Sequence, residues 1–289
     1  MNLISGPGNY VLSKNISRTL NIDAINVQFR KFPDGESYLR ISKNWYDDEI
    51  VLLHSTSPPQ DTKLIQLLFL IDKIKKESVN KLTVICPYLA YARQDRSRIE
   101  DEVVSIFSLI RLFELLKINK LITINVHNSE VFKNANFNFV DINAISFMAE
   151  YMKDNGYSGS YSLSLGKKPS DIKHAEDANK ILKGGCSRLL TFRDAVNGEV
   201  TLGKIDFDIR DKCVIIFDDV ITSGNTHLKA TELLRKHGAS EVHVACVHSL
   251  ITKKNLEKIV SKFNGFICTN TIPNKFSKVD VSPLISNVL

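Results

Sequence analysis

Residues 217–226, FDDVITSGNT, place two kinds of chemistry side by side. The adjacent carboxylates of Asp218 and Asp219 offer hard oxygens for sugar hydroxyls or a cation. Thr222, Ser223, Gly224, Asn225 and Thr226 then supply hydroxyls and exposed backbone N–H groups. A helical pattern follows, carried by Leu228, Leu233 and Leu234. N–H groups at a helix N-terminus, together with the helix dipole, favour a phosphate. The stretch is suited to hold an anion below and sugar hydroxyls or a cation above. Capping a helix, the plainer role, needs a single Ser, Thr, Asp or Asn.

Three further stretches carry candidate chemistry. In FPDGESYLR, residues 32–40, Pro33-Asp34-Gly35-Glu36 is a turn signal, which taken alone is more often a hairpin than a site. In PYLAYARQDR, residues 87–96, Arg93, Gln94, Asp95 and Arg96 follow an apolar-aromatic run. Two planar guanidinium forks suit polyphosphate oxygens, although a solvated loop with an internal ion pair fits the same residues. His127, within TINVHNS, ends another apolar run beside Asn125 and Asn128. A lone histidine is usually structural, but at a strand end it can ligate a cation.

These residues need elements to hold them. Val214–Phe217 reads as a buried strand with Asp218 and Asp219 at its carboxyl end, where ligands of open parallel sheets bind. Residues 82–89, 121–127 and 242–250 are similar β-rich apolar runs, and 61–76, 102–117 and 226–237 carry helical spacing. The alternation predicts an α/β fold with largely parallel sheets flanked by helices. Two similar halves are expected, 1–142 and 143–289, with the last residues able to return to the first. Residues 164–174, SLGKKPSDIKH, are the most loop-like interior stretch.

Composition narrows the class. Of the 289 residues, 43% are apolar and 24% charged, the balance of a soluble globular chain. No apolar run reaches the roughly 18 residues of a membrane span, and the N-terminus has no secretory pattern. Cys86, Cys186, Cys213, Cys246 and Cys268 are dispersed without a C-x-x-C, and read as buried free thiols in a reducing cytoplasm. The net charge of +6 suits phosphorylated small molecules. No basic stripe interleaved with aromatics points to nucleic acid.

Taken together, FPDGE, PYxxYARQDR, the strand-end His127, the Asp-Asp turn and TNTIPNKF (269–276) resemble the ribose-phosphate pyrophosphokinase family over nearly the whole chain, in its archaeal-type branch. The resemblance implies two phosphoribosyltransferase-like domains, ATP handled by the first and ribose 5-phosphate by the second. It implies Mg²⁺ as cofactor, a homo-oligomer of two or more copies, and transfer of pyrophosphate from ATP to the C1 hydroxyl of ribose 5-phosphate. Phe32, Asp34 and Glu36 then match a loop contacting adenine from a neighbouring subunit. Arg93, Gln94 and Arg96 match the ATP loop, and His127 matches a metal-binding, catalytic histidine. Asp218 and Asp219 face the ribose hydroxyls, Thr222 to Thr226 hold the 5-phosphate, and Arg193 is a catalytic cation.

The same resemblance marks departures. Asn125 stands where the family carries an Asp two residues before the histidine. The next strand should end in a metal-holding Asp, and the aligned candidates are Ser164 or Lys167, with Asp171 farther along. A Lys-x-Arg motif is reduced to Thr191 and Arg193, and Asn225 replaces a glycine. Losing one cationic stabiliser costs on the order of 10²–10³ in rate. A catalytically weak paralogue, serving as a binding or regulatory subunit beside an active relative, is therefore the competing expectation. A purine or pyrimidine phosphoribosyltransferase shares the Asp-Asp turn but lacks FPDGE and PYxxYARQDR.

Overall fold

The computed structural model describes residues 1–42, 45, 48–77, 79–97, 99–167, 169–194 and 199–289, with the side chains of Pro169, Ser170 and Arg193 outside that description. Contacts divide the chain into two units, Met1–Ile142 with Asp280–Leu289, and Asn143–Val279.

Unit 1 runs β1 (Asn2–Ser5), α1 (Tyr10–Leu20), β2 (Ala24–Asn26), β3 (Gln28–Lys31), β4 (Ser37–Arg40), β5 (Glu49–Leu53), α2 (Gln60–Lys75), β6 (Lys81–Ile85), α3 (Ser105–Leu115), β7 (Lys120–Ile124) and β8 (Asn138–Ile142). Its main sheet has the order β2-β1-β5-β6-β7-β8, with every pair parallel. The pair β3–β4 is a separate antiparallel hairpin. Ile4, Leu52, Val84 and Leu121 from the strands share one core with Leu67 and Ile71 of α2 and with Ile106 and Phe113 of α3.

Unit 2 runs α4 (Ile145–Met152), β9 (Tyr161–Leu165), α5 (Lys173–Leu182), β10 (Cys186–Leu189), β11 (Thr191–Arg193), β12 (Val200–Leu202), β13 (Cys213–Ile221), α6 (Asn225–Lys236), β14 (Glu241–Ser249), α7 (Lys253–Val260), β15 (Gly265–Thr269) and β16 (Ser277–Val279). The sheet order β10-β9-β13-β14-β15-β16 is again parallel and repeats the pattern of unit 1. The strand order reverses between β1 and β5 in unit 1 and between β9 and β13 in unit 2, which is where doubly wound sheets bind ligands. The last helix, α8 (Ser282–Ser286), belongs to unit 1, where Asn15 donates to Asp280 Oδ2 at 2.8 Å and Lys120 to the Val288 carbonyl at 2.6 Å.

Several boundaries differ from the sequence reading. The runs at 82–89 and 121–127 stop as strands at Ile85 and Ile124. Pro87 offers no N–H to a ladder, and Asn125 turns to a φ of 42°. The strand holding the acidic pair runs on to Ile221, because β14 pairs with it along its length, Asp218 opposite Cys246 and Ile221 opposite Ser249. The loop expected over 164–174 gives way to α5 at Lys173, whose Ala175, Ala178 and Leu182 bury against the sheet. Cys86, Cys246 and Cys268 are buried free thiols; Cys186 and Cys213, first residues of their strands, are only half-buried. Among the described residues, no helix is long and apolar enough to cross a membrane.

Candidate functional site

In unit 2, β13 delivers the acidic pair and α6 begins four residues past its last strand partner. Asp218 Oδ2 lies 2.9 Å from Nε2 of His227, a buried residue on the first turn of α6. Asp218 Oδ1 accepts from the Asp219 N–H at 2.8 Å, and Asp219 Oδ1 from the Val220 N–H at 2.8 Å. Burial raises the Asp218 carboxyl above the usual carboxylate range, the His227 hydrogen bond opposes this, and the charge of Asp219 adds to it.

Thr222 and Ser223 are exposed, and Gly224 caps α6. Gly224 has a φ of +74°, and a Cβ there would lie 2.7 Å from Ile259 Cγ2. Only glycine meets both demands. The Leu228 N–H is taken by the Gly224 carbonyl at 2.9 Å and the Asn225 N–H by Ser223 Oγ at 3.4 Å. The first turn of α6 carries no acid, so its N-terminal dipole is not neutralised from within. A cleft of about 380 Å³ flanks the turn, lined by Ser223, Asn225, Thr226 and Lys229 among others.

Strand β9 ends beside β13. Ser164 is buried inside the strand at 1% exposure, and Lys167 is exposed. Lys167 Nζ sits 5.8 Å from the centre of the Phe192 ring on β11. Gly166 follows the strand directly, and a Cβ there would lie 2.5 Å from Asp171 Cγ. The antiparallel pair β11–β12 places Thr191 opposite Leu202 and Arg193 opposite Val200. Arg193 is located by its backbone alone, since its side chain lies outside the described residues, as does Lys168.

In unit 1 the candidate residues gather at two neighbouring strand ends. The loop after β6 is pinned from inside. Gln94 accepts from Ser105 Oγ at 2.9 Å and donates to Glu102 at 3.2 Å, and buried Asp95 accepts from Asn128 Nδ2 at 2.7 Å. Arg93 and Arg96 are left on the exposed side. Asn128 also caps the turn at Ser129–Phe132, so one side chain ties the Arg93–Arg96 loop to the His127 loop. His127 is exposed, whereas Asn125 is buried and gives its N–H to Ile142. Phe32, Asp34 and Glu36 lie at the exposed tip of the β3–β4 hairpin. There the Phe32 N–H bonds to the Glu36 carbonyl at 2.9 Å, and the Glu36 N–H to Asp34 Oδ1 at 3.0 Å. Arg30 stacks over Tyr38 at 4.3 Å, and Tyr38 meets Phe32 edge to face at 6.0 Å.

The structure thus brings Asp218 through Thr226 together in unit 2, and Arg93, Gln94, Arg96 and His127 onto adjacent strand ends in unit 1. It keeps the Phe32–Glu36 tip on a separate hairpin. Sequence reasoning named Asn128 only as a neighbour of His127, and missed His227 and the pin at the end of β14, where His248 Nδ1 meets Thr271 Oγ1 at 2.8 Å. Helical spacing puts His227 one turn into α6 but does not say which way it points.

An acidic strand end that runs into a hydroxyl-rich turn at a helix N-terminus, in a doubly wound sheet, defines a phosphoribosyltransferase-type site. Consistent with this, the model of a phosphoribosyl transferase domain matches residues 189–284, and that of the N-terminal domain of ribose phosphate pyrophosphokinase matches residues 1–116. A ribose-phosphate pyrophosphokinase of Pyrococcus furiosus is 33% identical over 264 residues, covering 91% of this chain and 92% of that protein. One from Sulfurisphaera tokodaii is 32% identical over 291 residues, covering 99% of each. The crystal structure of phosphoribosylpyrophosphate synthetase from Mycobacterium smegmatis superposes with a TM-score of 0.85 at 21% identity, covering 99% of this chain and 96% of that one, which establishes the fold. The chain belongs to the ribose-phosphate pyrophosphokinase family.

Proposed function

We propose that this chain is a ribose-phosphate diphosphokinase that converts ATP and ribose 5-phosphate to phosphoribosyl pyrophosphate and AMP. The observation that carries the reading is the Asp218–Asp219 pair running straight into the Thr222–Thr226 turn at the N-terminus of α6. That turn holds the 5-phosphate, and the two carboxylates receive the ribose hydroxyls. Arg93 and Arg96 hold the ATP phosphates, with Gln94 fixing the loop beneath them. Phe32, Asp34 and Glu36 serve adenine bound to a neighbouring copy, which makes the working unit a homo-oligomer of two or more chains. The C1 hydroxyl oxygen attacks the β-phosphorus of ATP, the bond from that phosphorus to the α-bridging oxygen breaks, and AMP departs as the hydroxyl proton is lost. Such transfer depends on positioning and charge neutralisation more than on covalent catalysis.

Mg²⁺ is the cofactor of this reading, neutralising phosphate charge when bound. The carboxylates of Asp218 and Asp219 at the end of β13 are the hard oxygen donors it prefers. His127 serves as the metal-side histidine and Arg193 as a catalytic cation. Lys167, held over Phe192, brings an ammonium to the strand that carries Thr191 in place of a lysine. A cytoplasmic setting belongs to this reading, supported by the free thiols.

The competing reading is a catalytically weak subunit that binds the same ligands and assembles with an active relative. Buried Asn125 in place of an acid favours it. AMP release by the pure protein from ATP and Mg²⁺, with and without ribose 5-phosphate, separates the two. Ribose-phosphate-dependent AMP supports the enzyme. Background AMP with intact ligand binding leaves the subunit.

A further inference from the structure

The amino ends of β13 and β14 carry a second group of chemically active side chains. Cys213 and Glu241 open the two strands and stand opposite each other in the parallel ladder. His243 follows Glu241 by two residues, so all three lie on one face of the sheet. The Cys213 thiol, a ring nitrogen of His243 and a carboxylate oxygen of Glu241 lie within 4.8 Å of one another. Among the described residues, this is the one group of three His, Cys, Asp or Glu side chains gathered so closely. Cys213 is the first residue of β13 and Asp218 the sixth, which separates this group from the acidic pair by about 16 Å of strand.

The histidine is held in place on several sides. It is buried at 4% exposure, and Tyr157 meets its ring edge to face at 4.6 Å. Gly265 stands opposite it on β15, and a Cβ there would lie 2.5 Å from Nδ1, so the ring fills the room that glycine leaves. Nε2 is thereby turned to Glu241, whose Oε2 is 2.7 Å away. The Glu241 side chain is exposed and Cys213 half-buried, which leaves the group open to an ion from solvent. Lys212, the preceding residue, is drawn aside onto the Tyr161 ring at 5.0 Å. Burial raises the Cys213 thiol above its ordinary value, a hydrogen bond with Ser160 opposes this, and the Glu241 charge adds to it. Without a cation the thiol therefore keeps its proton at neutral pH.

We propose that Cys213, Glu241 and His243 form a binding site for a thiolate-seeking divalent metal of the Zn²⁺ class. Sulfur, imidazole and carboxylate are the donors that Zn²⁺ takes, and three protein ligands leave its fourth position to water. In a tetrahedral set these donor atoms stand about 3.3–3.6 Å apart. The group reaches that spacing when the exposed Glu241 side chain backs away slightly from Nε2 and the thiol closes in. Binding releases the thiol proton to solvent, because the metal takes the thiolate. Mg²⁺, which prefers oxygen donors, is not expected here. The ion clamps the starts of two central strands of unit 2.

The test is a Co²⁺ titration of the whole chain, reduced and freed of metal, followed by absorbance. One equivalent of Co²⁺ should give a near-ultraviolet thiolate-to-metal band and the visible bands of a four-coordinate ion, and Zn²⁺ should bleach both. Carboxylates elsewhere can take Co²⁺ but give no thiolate band. Cys213→Ser should abolish that band, while Cys186→Ser, at the other half-buried cysteine, should leave it. Glu241→Gln alters an exposed side chain, so the fold is not at stake, and should weaken Co²⁺ binding by about tenfold or more. Absence of the thiolate band in the wild type overturns the proposal. So does a band that survives Cys213→Ser, or an affinity that Glu241→Gln leaves unchanged.

Discussion

Burial disfavours the charged form of Asp218, the His227 hydrogen bond opposes that, and Asp219 adds repulsion. The carboxyl is therefore raised in the folded state, and its stabilising contribution is complete below the ordinary aspartate range and lost as pH rises through the raised value. At neutral pH the folded protein bears the cost of this charge. Asp218→Asn should raise Tm by a few degrees at pH 7 in calorimetry while weakening ribose 5-phosphate binding at least tenfold. A stabilised variant that still binds normally would contradict the role given to Asp218. His227→Ala removes the group that favours ionisation, so the acid limb of sugar-phosphate binding should move to higher pH, as titration calorimetry across pH 4–7 would read. The acidic pair was legible because two carboxylates closing an apolar run before a hydroxyl-rich turn have few other uses. His227 was not legible. It meets Asp218 through a side-chain direction set by packing, which helical spacing does not give.

At the scale of elements, the junction of β13 with α6 depends on Gly224. Its φ of +74° and the 2.7 Å approach of Ile259 Cγ2 both exclude a side chain. Gly224→Ala should cost about 1–3 kcal/mol of stability, measured by denaturant unfolding, and weaken ribose 5-phosphate binding at least tenfold. Adding Ile259→Ala relieves the contact but not the backbone, so stability should return in part and affinity should not. Asn128 ties the loops after β6 and β7 through Asp95. Asn128→Ala leaves buried Asp95 without that partner, a loss of about 1–3 kcal/mol, and should weaken ATP more than ribose 5-phosphate in calorimetry. Equal losses for both ligands would contradict the assignment of these loops to ATP. Central strands and long helices were legible from period and apolar content. Their ends were decided by partners the sequence does not display. Asp218 and Asp219 lie inside a strand because β14 is long enough to pair past them, and β7 stops where Asn125 turns left-handed.

Across the whole molecule the two sheets share one strand order, yet they use it differently. Unit 2 presents Asp218, Asp219 and the Thr222–Thr226 turn at the end of β13, beside its β9–β13 reversal. Unit 1 fills the matching place at the β1–β5 reversal with its own side chains. His54 is fully buried there, and a Cβ on Gly6 would clash with its ring, lying 2.8 Å from Cγ and closer still to Nδ1. Its Nε2 meets the Lys63 carbonyl at 2.9 Å, Lys63 reaches the Pro7 carbonyl, and Asn9 Oδ1 takes the Ser55 N–H at 3.3 Å. The candidate ATP residues of unit 1 accordingly come from the ends of β6 and β7. Burial, with the nearby Lys63 charge, pushes His54 down to about 3. An unfolded chain takes up that proton near the ordinary value of about 6.5, so the plug is neutral and stable above that range and increasingly costly below it. Its contribution should fall by about 1.4 kcal/mol per pH unit between about 6.5 and 3. Denaturant unfolding of the wild type and of His54→Gln, compared at pH 7, 6 and 5, isolates this term because both chains carry the same carboxylates. The wild type should lose about 2 kcal/mol more than the variant by pH 5. Parallel losses would mean that the histidine gains its proton in the folded state, and that the place between β1 and β5 is open to water.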